Sequence, residues 1–390
     1  MKVVIFGAGA SGRGHVGQLA YASGYQLIFV DKDESLVAAL QSAGQYTVHL
    51  VGAQERDVVI RGFRAYPLRA EEAIAEEIAA CDLVLTAVTA EGLPGLVPCL
   101  ARGLERRAQR GVAAPVNVIA CENMINGSTA LKGMLLPAIA ARYRSAVESC
   151  TGFPDAMIAR VVPAPAGDRL RLLAEDHNEW PVDARAFRGP DPGIDGLELV
   201  DNLQARLERK IYMHNTGHAV CGYLGYLKGY AVMCDAVLDP VIRRAVYGAM
   251  TESAQTLRHT YGFSWESLEE YRDSFFPRVE GRLILDPVAR VCRSPRRKLG
   301  RQERLLGPAC RAIDLGLEPV HLALGIAAAL RYDAPDDPEA ADVQALLHTG
   351  GVGAVLQQIG AVDAERLARL QPLVEQALAG LPALLKGGES

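Results

Sequence analysis

Short apolar runs and helical periodicities alternate through the first half of the chain. The apolar runs occupy residues 2–6, 27–30, 82–88 and 116–120. They are continuous rather than alternating, which is typical of parallel strands buried on both faces. Stretches with the periodicity of amphipathic helices lie between or after them, at residues 14–23, 91–110 and 128–144. Strands that alternate with helices predict an α/β fold with a Rossmann-type, doubly wound parallel sheet.

The second half of the chain is expected to be mostly α-helical. Its helical patterns cover residues 198–230, 239–261, 303–315, 319–331 and 363–386. Two short runs before them, 159–162 and 170–173, are candidates for added strands. The segment 188–193 combines prolines and glycines, which favours a domain boundary there. We therefore predict two domains, 1–190 and 191–390.

The composition fits a globular protein of two domains. The chain has 390 residues, which exceeds the usual size of one core. Its formal net charge is -5, from 41 basic and 46 acidic residues, which disfavours nucleic acid as a partner. Its eight cysteines include no C-x-x-C pair, so we expect buried, reduced thiols and no zinc site. No apolar run reaches the roughly 18 residues of a membrane span, and no signal-peptide core is present, which favours the cytoplasm.

A glycine-rich loop follows the first apolar run. Its residues are Gly7, Ala8, Gly9, Ala10, Ser11, Gly12, Arg13 and Gly14. The first six match G-x-G-x-x-G between a strand and a helix, the context in which this pattern predicts a dinucleotide site. The first glycine allows a tight turn, the second lets a pyrophosphate approach the backbone, and the third permits close packing. The following helix directs its free N–H groups at the phosphates, and Arg13 is a further candidate contact.

Asp31 indicates which dinucleotide is bound. It lies 19 residues after Gly12, at the end of the second apolar run. A carboxylate there can accept hydrogen bonds from the adenosine ribose and would repel a 2′-phosphate, so NAD is expected rather than NADP. Lys32 directly after it would soften that preference. A glycine-rich turn without a ligand is the alternative.

Lys210, Asn215 and His218 form the candidate chemical site. In an α-helix, Asn215 lies about 140° and His218 about 80° round from Lys210, so the three share one arc. Oxidation of an alcohol needs a base for the hydroxyl proton, which a lysine of lowered pKa can be, and donors for the developing oxyanion, which Asn and His can be. Two alternatives stay open. One is a metal pair of His214 and His218, for which the sequence shows no third ligand, and the other is a solvated lysine beside a core histidine.

A basic segment runs from Arg290 to Arg304. Seven of its fifteen residues are Arg or Lys, although the chain is acidic overall. One interpretation is an anion site for a phosphorylated or carboxylated substrate. A solvated basic face is the second, and a nucleic-acid patch, which lacks interleaved aromatic residues here, is the third.

Together these residues resemble the polyol-specific long-chain dehydrogenases, the mannitol dehydrogenase family. The pattern of that family is Lys, four residues, Asn, two residues, His, and Lys210, Asn215 and His218 fit it. The resemblance implies that Lys210 is the general base, that Asn215 stabilises the oxyanion and that His218 contacts substrate. A Cys-acid-Asn run after the fourth apolar run also matches, which gives Asn123 the role of the second oxyanion residue.

The resemblance extends to the substrate and to a branch of the family. Arg290 and Lys298 have the eight-residue spacing of the Arg and Lys that touch substrate hydroxyls in the family. The likeness, over about residues 1–310, is greatest to the branch that interconverts mannitol 1-phosphate and fructose 6-phosphate with NAD. It implies a Rossmann-type NAD-binding domain at 1–190, a helical substrate and catalytic domain at 191–390, an active site between them, and catalysis without a metal.

Further site residues follow from this assignment. Because ligands bind beyond the carboxyl ends of parallel strands, Thr86 and Val88 are expected beside the nicotinamide. For the substrate phosphate, the candidates are Arg293, Arg296 and Arg297. The expected partner is a small sugar phosphate or polyol, with neither nucleic acid nor membrane, and the chain is expected to be a monomer or a small homo-oligomer.

Two positions depart from the pattern of the family. Leu207 stands where free-polyol enzymes can carry a glutamate proton relay, which favours the phosphate branch and leaves the path of the proton unassigned. Asn126 stands where a basic residue is expected in the phosphate enzymes. A free-polyol dehydrogenase, a hexonate dehydrogenase similar to tagaturonate reductase, and a non-catalytic NAD-binding sensor therefore stay open as alternatives.

Overall fold

The computed structural model describes residues 1–52, 55–165, 167–282 and 284–386. The chain divides into two compact units, Met1–Leu203 and Gln204–Ser390. The division follows strand Leu197–Val200 because that strand pairs in parallel with Trp180–Asp183 of the first unit. It therefore lies downstream of the turn cluster at which the sequence analysis places a boundary between 1–190 and 191–390.

The strands of the described residues all belong to the first unit. They are β1 (Lys2–Phe6), β2 (Gln26–Asp31), β3 (Gln45–Val51), β4 (Arg56–Arg61), β5 (Arg64–Pro67), β6 (Leu83–Thr86), β7 (Val116–Ala120), β8 (Thr151–Gly152), β9 (Arg171–Glu175), β10 (Trp180–Asp183) and β11 (Leu197–Val200). One sheet has the order β5-β2-β1-β6-β7-β8, and every neighbouring pair in it is parallel. This sheet confirms the predicted Rossmann-type fold.

β1 shows why the strands of this sheet carry continuous apolar runs. Val3 and Ile5 pack into a core on one face of the sheet, and Val4 and Phe6 pack into a second core on the other face. All four side chains are fully buried. Burial stabilises each by about 1.5–3 kcal/mol relative to exposure, so polar residues are disfavoured at every position of the strand.

A second, three-stranded sheet was not predicted from the sequence. It has the order β4-β3-β9, with β3 antiparallel to β4 and parallel to β9. β3 alternates buried Tyr46, Val48 and Leu50 with less buried residues, which is the period of a strand with one covered face. The predicted strand at 170–173 is confirmed within β9. The one at 159–162 is wrong: Ala159 donates to the carbonyl of Glu179 and the carbonyl of Val161 accepts from Glu175, but residues 159–162 form no strand.

Helices flank the strands of the first unit. They are α1 (Gly17–Ala22), α2 (Glu34–Ala43), α3 (Glu71–Ala79), α4 (Val97–Gln109), α5 (Gly127–Ala138) and α6 (Ala141–Cys150), with a π-helical turn at Gly12–Val16 and a 3₁₀ turn at Ala90–Leu96. The predicted helix at 128–144 is two helices, because Ile139 and Ala140 have extended ψ angles of 131° and 135°.

The second unit is helical, as predicted. Its helices are α7 (Leu203–Arg209), α8 (Asn215–Leu227), α9 (Met233–Ala236), α10 (Pro240–Tyr261), α11 (Trp265–Asp273), α12 (Phe275–Glu280), α13 (Val288–Cys292), α14 (Pro295–Lys298), α15 (Leu306–Asp314), α16 (Val320–Leu330), α17 (Pro338–Gln358) and α18 (Ala364–Lys386). A π-helical turn, Lys210–His214, joins α7 to α8. The single helix predicted at 198–230 is therefore wrong in two respects, since its first residues form β11 and its middle is not α-helical.

α16 lies at the centre of the second unit. It is apolar nearly all round and packs against α8, α10 and α18. A helix of this kind is stable only when other elements cover its faces, and α8, α10 and α18 provide that cover. Within the described ranges, no helix has both the length and the apolarity needed to cross a membrane.

Candidate functional site

In the glycine loop after β1, Gly7 and Gly12 are packed tightly against backbone and Gly9 is open. A Cβ at Gly7 would lie 2.3 Å from the carbonyl oxygen of Ala87, and the φ of Gly7 is +95°, so a side chain is excluded on both grounds. A Cβ at Gly12 would lie 1.8 Å from the carbonyl oxygen of Gly7. At Gly9 a Cβ would meet no atom within 4 Å. The backbone is therefore uncovered at Gly9, where the sequence analysis expects a pyrophosphate.

The carboxylate of Asp31 holds this loop. Its Oδ2 accepts a hydrogen bond from the backbone N–H of Ala8 at 2.6 Å, and its Oδ1 accepts one from Asp33 at 2.8 Å. The end of β2 is thereby fastened to the turn after β1. Each oxygen keeps a second lone pair, so the predicted contact with ribose hydroxyls is compatible with these bonds and stays a prediction.

Two cationic residues line a groove at the same end of β2. Lys32 is exposed, and Arg69 forms an ion pair with Glu34 in which Nε and Oε1 are 2.5 Å apart. Lys32, Glu34 and Arg69 line one groove together with Gly95. Positive charge beside Asp31 is the feature expected to soften a preference for NAD over NADP.

Arg13 lies inside the first unit rather than on the outer side of the loop. Only 1% of the residue is exposed, its Nε donates to the carbonyl of Ala8 at 2.5 Å, and its guanidinium lies over the Tyr46 ring. Burial lowers the pKa of Arg13 from its ordinary value. The side chain therefore supports the loop from within, and the phosphate contact predicted for it stays a prediction.

A buried carboxylate joins the ends of β6 and β7. The Oε2 of Glu122 accepts from the hydroxyl of Thr86 at 2.8 Å, and its Oε1 accepts from the backbone N–H of Val88 at 2.9 Å. Burial raises the pKa of Glu122. Asn123 directly follows and is exposed. Thr86, Val88 and Asn123 were predicted from the sequence, whereas Glu122 was not; its one signal in the sequence is the acidic position of the Cys-acid-Asn run.

A π-helical turn brings Lys210 and Asn215 together. The backbone N–H of Asn215 donates to the carbonyl of Lys210, a bond across five residues instead of four. Asn215 therefore lies one turn above Lys210, and the separation of about 140° expected for a regular α-helix is wrong. The extra residue lies between Lys210 and Asn215, the Lys and Asn of the family pattern, and π turns are frequent at functional sites.

His218 lies one turn further along, in an aromatic cluster. Its ring meets that of His214 edge-on, with centroids 4.5 Å apart, and that of Phe275 at 5.2 Å. Burial lowers the pKa of His218 to about 4, so the imidazole is neutral at pH 7. The charge of Asp286 raises this pKa, and those of Arg278, Arg304 and Arg290 lower it further. A neutral ring can both donate and accept a hydrogen bond.

Lys298 is a buried support for the basic segment. Only 5% of it is exposed, and its Nζ donates to the carbonyls of Val291 and Arg293. Burial is the main cause that lowers its pKa to about 8. Arg290 is largely exposed and forms a two-pronged ion pair with Asp286, with bonds of 2.6 and 2.5 Å. The ammonium keeps one further donor, so the substrate contact expected for Lys298 stays a prediction.

The three arginines proposed for a phosphate are all exposed. Arg293 lies 3.8 Å from a carboxylate oxygen of Asp336, and Arg297 lies 3.4 Å from one of Glu303. Arg296 lies between them in the sequence. Carboxylates therefore already offset part of the positive charge of this segment.

The predicted site residues are distributed over the two units. The first has the glycine loop, Asp31, Thr86, Val88 and Asn123 at the carboxyl edge of its parallel sheet, where such folds bind ligands. In the second, Lys210, Asn215 and His218 lie along one helical segment. Among the described residues, no three His, Cys, Asp or Glu side chains are grouped as metal ligands would be.

Two family descriptions match nearly the whole chain. The Mannitol dehydrogenase Rossmann domain matches residues 1–196, and the Mannitol dehydrogenase C-terminal domain matches residues 202–376. The chain belongs to the mannitol dehydrogenase family. Membership confirms the predicted family, the predicted fold class and, at the level of the family, a polyol dehydrogenase.

Solved structures show the same fold. A D-sorbitol dehydrogenase in substrate-free form superimposes with a TM-score of 0.81 at 19% identity, over 99% of this chain and 93% of that one. The ternary complex of Pseudomonas fluorescens mannitol 2-dehydrogenase with NAD and D-mannitol superimposes with a TM-score of 0.67 at 18% identity, over 99% and 94% of the two chains. The predicted cofactor, NAD, agrees with the Rossmann domain of the family and with the contents of that complex.

Proposed function

We propose that this polyol dehydrogenase uses NAD to interconvert mannitol 1-phosphate and fructose 6-phosphate. The observation that carries the proposal is the π-helical turn that brings Asn215 one turn above Lys210, with His218 on the same helical segment. A base and two polar donors at this spacing meet the needs of a hydroxyl that loses a proton while its carbon loses a hydride.

The glycine loop fits the dinucleotide. Gly9 exposes backbone that a Cβ would otherwise cover, and the helical N-terminus after it favours negative charge. When bound, NAD supplies the hydride acceptor. Asp31 would hold the adenosine ribose, and Thr86 and Val88 would line the side of the nicotinamide.

Lys210 would take the proton of the reacting hydroxyl. Asn123 and Asn215 would donate hydrogen bonds to the oxygen as negative charge develops on it. His218, neutral because its pKa is about 4, would orient a neighbouring hydroxyl without adding charge. Arg290 and Lys298 would hold further hydroxyls, and Arg293, Arg296 and Arg297 would bind the phosphate.

A second candidate is a dehydrogenase of free polyols or hexonates. The ion pairs of Arg293 with Asp336 and of Arg297 with Glu303 favour it, because they leave less positive charge for a phosphate dianion. A non-catalytic NAD-binding sensor is less well supported, since such a protein has no need of Lys210 and both asparagines.

NADH oxidation by metal-stripped protein separates the candidates. The enzyme is offered fructose 6-phosphate, fructose and tagaturonate in parallel, and so is the variant Arg296→Gln. The phosphate proposal expects turnover with fructose 6-phosphate and a raised KM for it in Arg296→Gln. The variant Arg102→Gln, which removes an exposed arginine paired with Glu71 and Glu72 in the first unit, is the matched control. Turnover with fructose or tagaturonate alone would refute the phosphate assignment.

We further propose a cytoplasmic enzyme that is a monomer or a small homo-oligomer, with a small molecule as its partner. All eight cysteines carry free thiols, and seven of them are buried, which supports a reducing compartment. Gel filtration with light scattering would measure the number of subunits.

A further inference from the structure

Glu122 is a buried acid that none of the proposed chemical steps uses. Only 6% of it is exposed, yet both of its carboxylate oxygens are occupied by donors from the end of the neighbouring strand, the hydroxyl of Thr86 and the N–H of Val88. A buried carboxylate is costly to keep, even where donors satisfy it. The unfavourable burial of Glu122 indicates that the arrangement held by its carboxylate contributes to the function of the protein.

That geometry concerns the wall formed by residues 86–88. On one side, Gly7 and Gly12 of the glycine loop pack against Ala87, whose Cβ lies 3.6 Å from the position of a Cβ at Gly12. On the other side, Glu122 binds the residues before and after Ala87. The wall is therefore fixed between the loop expected to bind the pyrophosphate and the carboxylate.

Backbone hydrogen bonds on either side of Glu122 fix the start of the turn that carries Asn123. The backbone N–H of Cys121 donates to the carbonyl of Thr86 at 2.9 Å, and the N–H of Met124 donates to the carbonyl of Glu122 at 2.8 Å. Asn123 lies between these two anchored peptides. Glu122 is joined to Asn123 by a peptide bond, and its carboxylate binds the wall through two hydrogen bonds.

We infer that Glu122 is a positioning residue, which holds the Thr86–Val88 wall and Asn123 in one arrangement for the nicotinamide end of the cofactor. The inference rests on the proposed function for the identity of the ligand. It assigns Glu122 no contact with cofactor or substrate, so the loss of its charge should act on orientation alone. Misplacement of reacting groups by about 1 Å is enough to lower a rate about 100-fold.

The test compares NAD with ADP-ribose, which lacks the nicotinamide. Calorimetry measures both dissociation constants for the wild type, for Glu122→Gln and for Glu77→Gln. Glu77 is the control, because it is a buried carboxylate of the same unit that binds Lys2, Arg64 and Tyr66, and Lys2 and Arg64 are the first residues of β1 and β5, at the amino ends of these strands. We expect Glu122→Gln to weaken NAD about fivefold relative to ADP-ribose, the loss of one hydrogen bond, and Glu77→Gln to leave the ratio unchanged.

Turnover gives a second readout on the same proteins. Glu122→Gln should lower kcat about tenfold or more, with a smaller effect on the KM of substrate, and Glu77→Gln should keep kcat. An unchanged ratio of NAD to ADP-ribose affinity in folded Glu122→Gln would overturn the inference, and so would an equal loss in Glu77→Gln. If the wild type turns over no polyol or sugar phosphate, the proposed function fails while the two binding constants still decide the role of Glu122.

Discussion

The glycine loop allows a prediction in which two substitutions of the same kind affect different properties, Gly12→Ala the stability of the protein and Gly9→Ala the binding of NAD. Gly12→Ala would place a methyl group 1.8 Å from the carbonyl oxygen of Gly7, whereas Gly9→Ala would place one where no protein atom lies within 4 Å. Because the obstacle at Gly12 is backbone, the loop itself must shift. We expect Gly12→Ala to destabilise the protein and Gly9→Ala to leave its stability unchanged.

The size of the first effect follows from the cost of overpacking, about 1–3 kcal/mol and more where backbone must move. In a unit of this size each kcal/mol lowers Tm by about 2–4 °C, so Gly12→Ala should melt several degrees below the wild type. The second effect appears only with ligand. A methyl group at Gly9 separates pyrophosphate oxygens from the loop, and a loss of about 1.4 kcal/mol would weaken NAD about tenfold.

Thermal unfolding followed by circular dichroism and calorimetric titration with NAD measure both quantities. Gly133→Ala is the control, since Gly133 also meets no atom within 4 Å but lies in α5, outside the loop. If Gly9→Ala binds NAD as the wild type does, the loop is not the pyrophosphate site. If Gly12→Ala melts with the wild type, the packing argument is wrong.

Three further predictions concern single side chains. Lys210→Ala should lower kcat about 100-fold or more, with the NAD dissociation constant unchanged, because only the base is removed; near-wild-type turnover would exclude this mechanism. Asp31→Ala should weaken NAD, measured by calorimetry, since it removes both the ribose acceptor and the bond that holds Ala8; unchanged affinity would contradict it. The hydrogen bond of His321 to Glu252 raises the pKa of His321 above its ordinary value of 6.5. Protonated His321 therefore stabilises the folded protein in full below pH 6.5, and this stabilisation is lost as the pH rises through the pKa of the folded state. Over that range the midpoint of denaturant unfolding should fall less in His321→Gln than in the wild type. An equal fall in both proteins would refute the prediction.

The sequence predicted the parallel sheet because its strands leave a strong signal. Val3, Val4, Ile5 and Phe6 are all apolar since both faces of β1 are covered. The strands of the second sheet give a weaker signal. In β3 the apolar residues alternate with Thr47 and His49, and a run with one covered face is easily passed over among polar neighbours.

The candidate site was predicted at the level of residue types and less well at the level of geometry. Lys210, Asn215 and His218 do lie along one helical segment, yet their angles were derived for 3.6 residues per turn. The bond from Asn215 to the carbonyl of Lys210 adds a residue to that turn, and hydrophobic periodicity over five residues cannot reveal it. Lys298 is a second example, since its spacing from Arg290 in the sequence gives no sign that its ammonium binds backbone carbonyls.

The anchoring of Lys298 changes how the basic segment should be understood. Ser294 has a left-handed backbone, with a φ of 60°, directly before Pro295, and its N–H donates to the buried carboxylate of Asp337 at 3.0 Å. A residue before proline adopts that conformation only when its surroundings impose it. Asp337 and Lys298 thus hold the backbone of residues 291–294, directly before Pro295. A merely solvated basic face has no need of two buried charges that fix its backbone, whereas a segment that must present Arg293, Arg296 and Arg297 in one arrangement does.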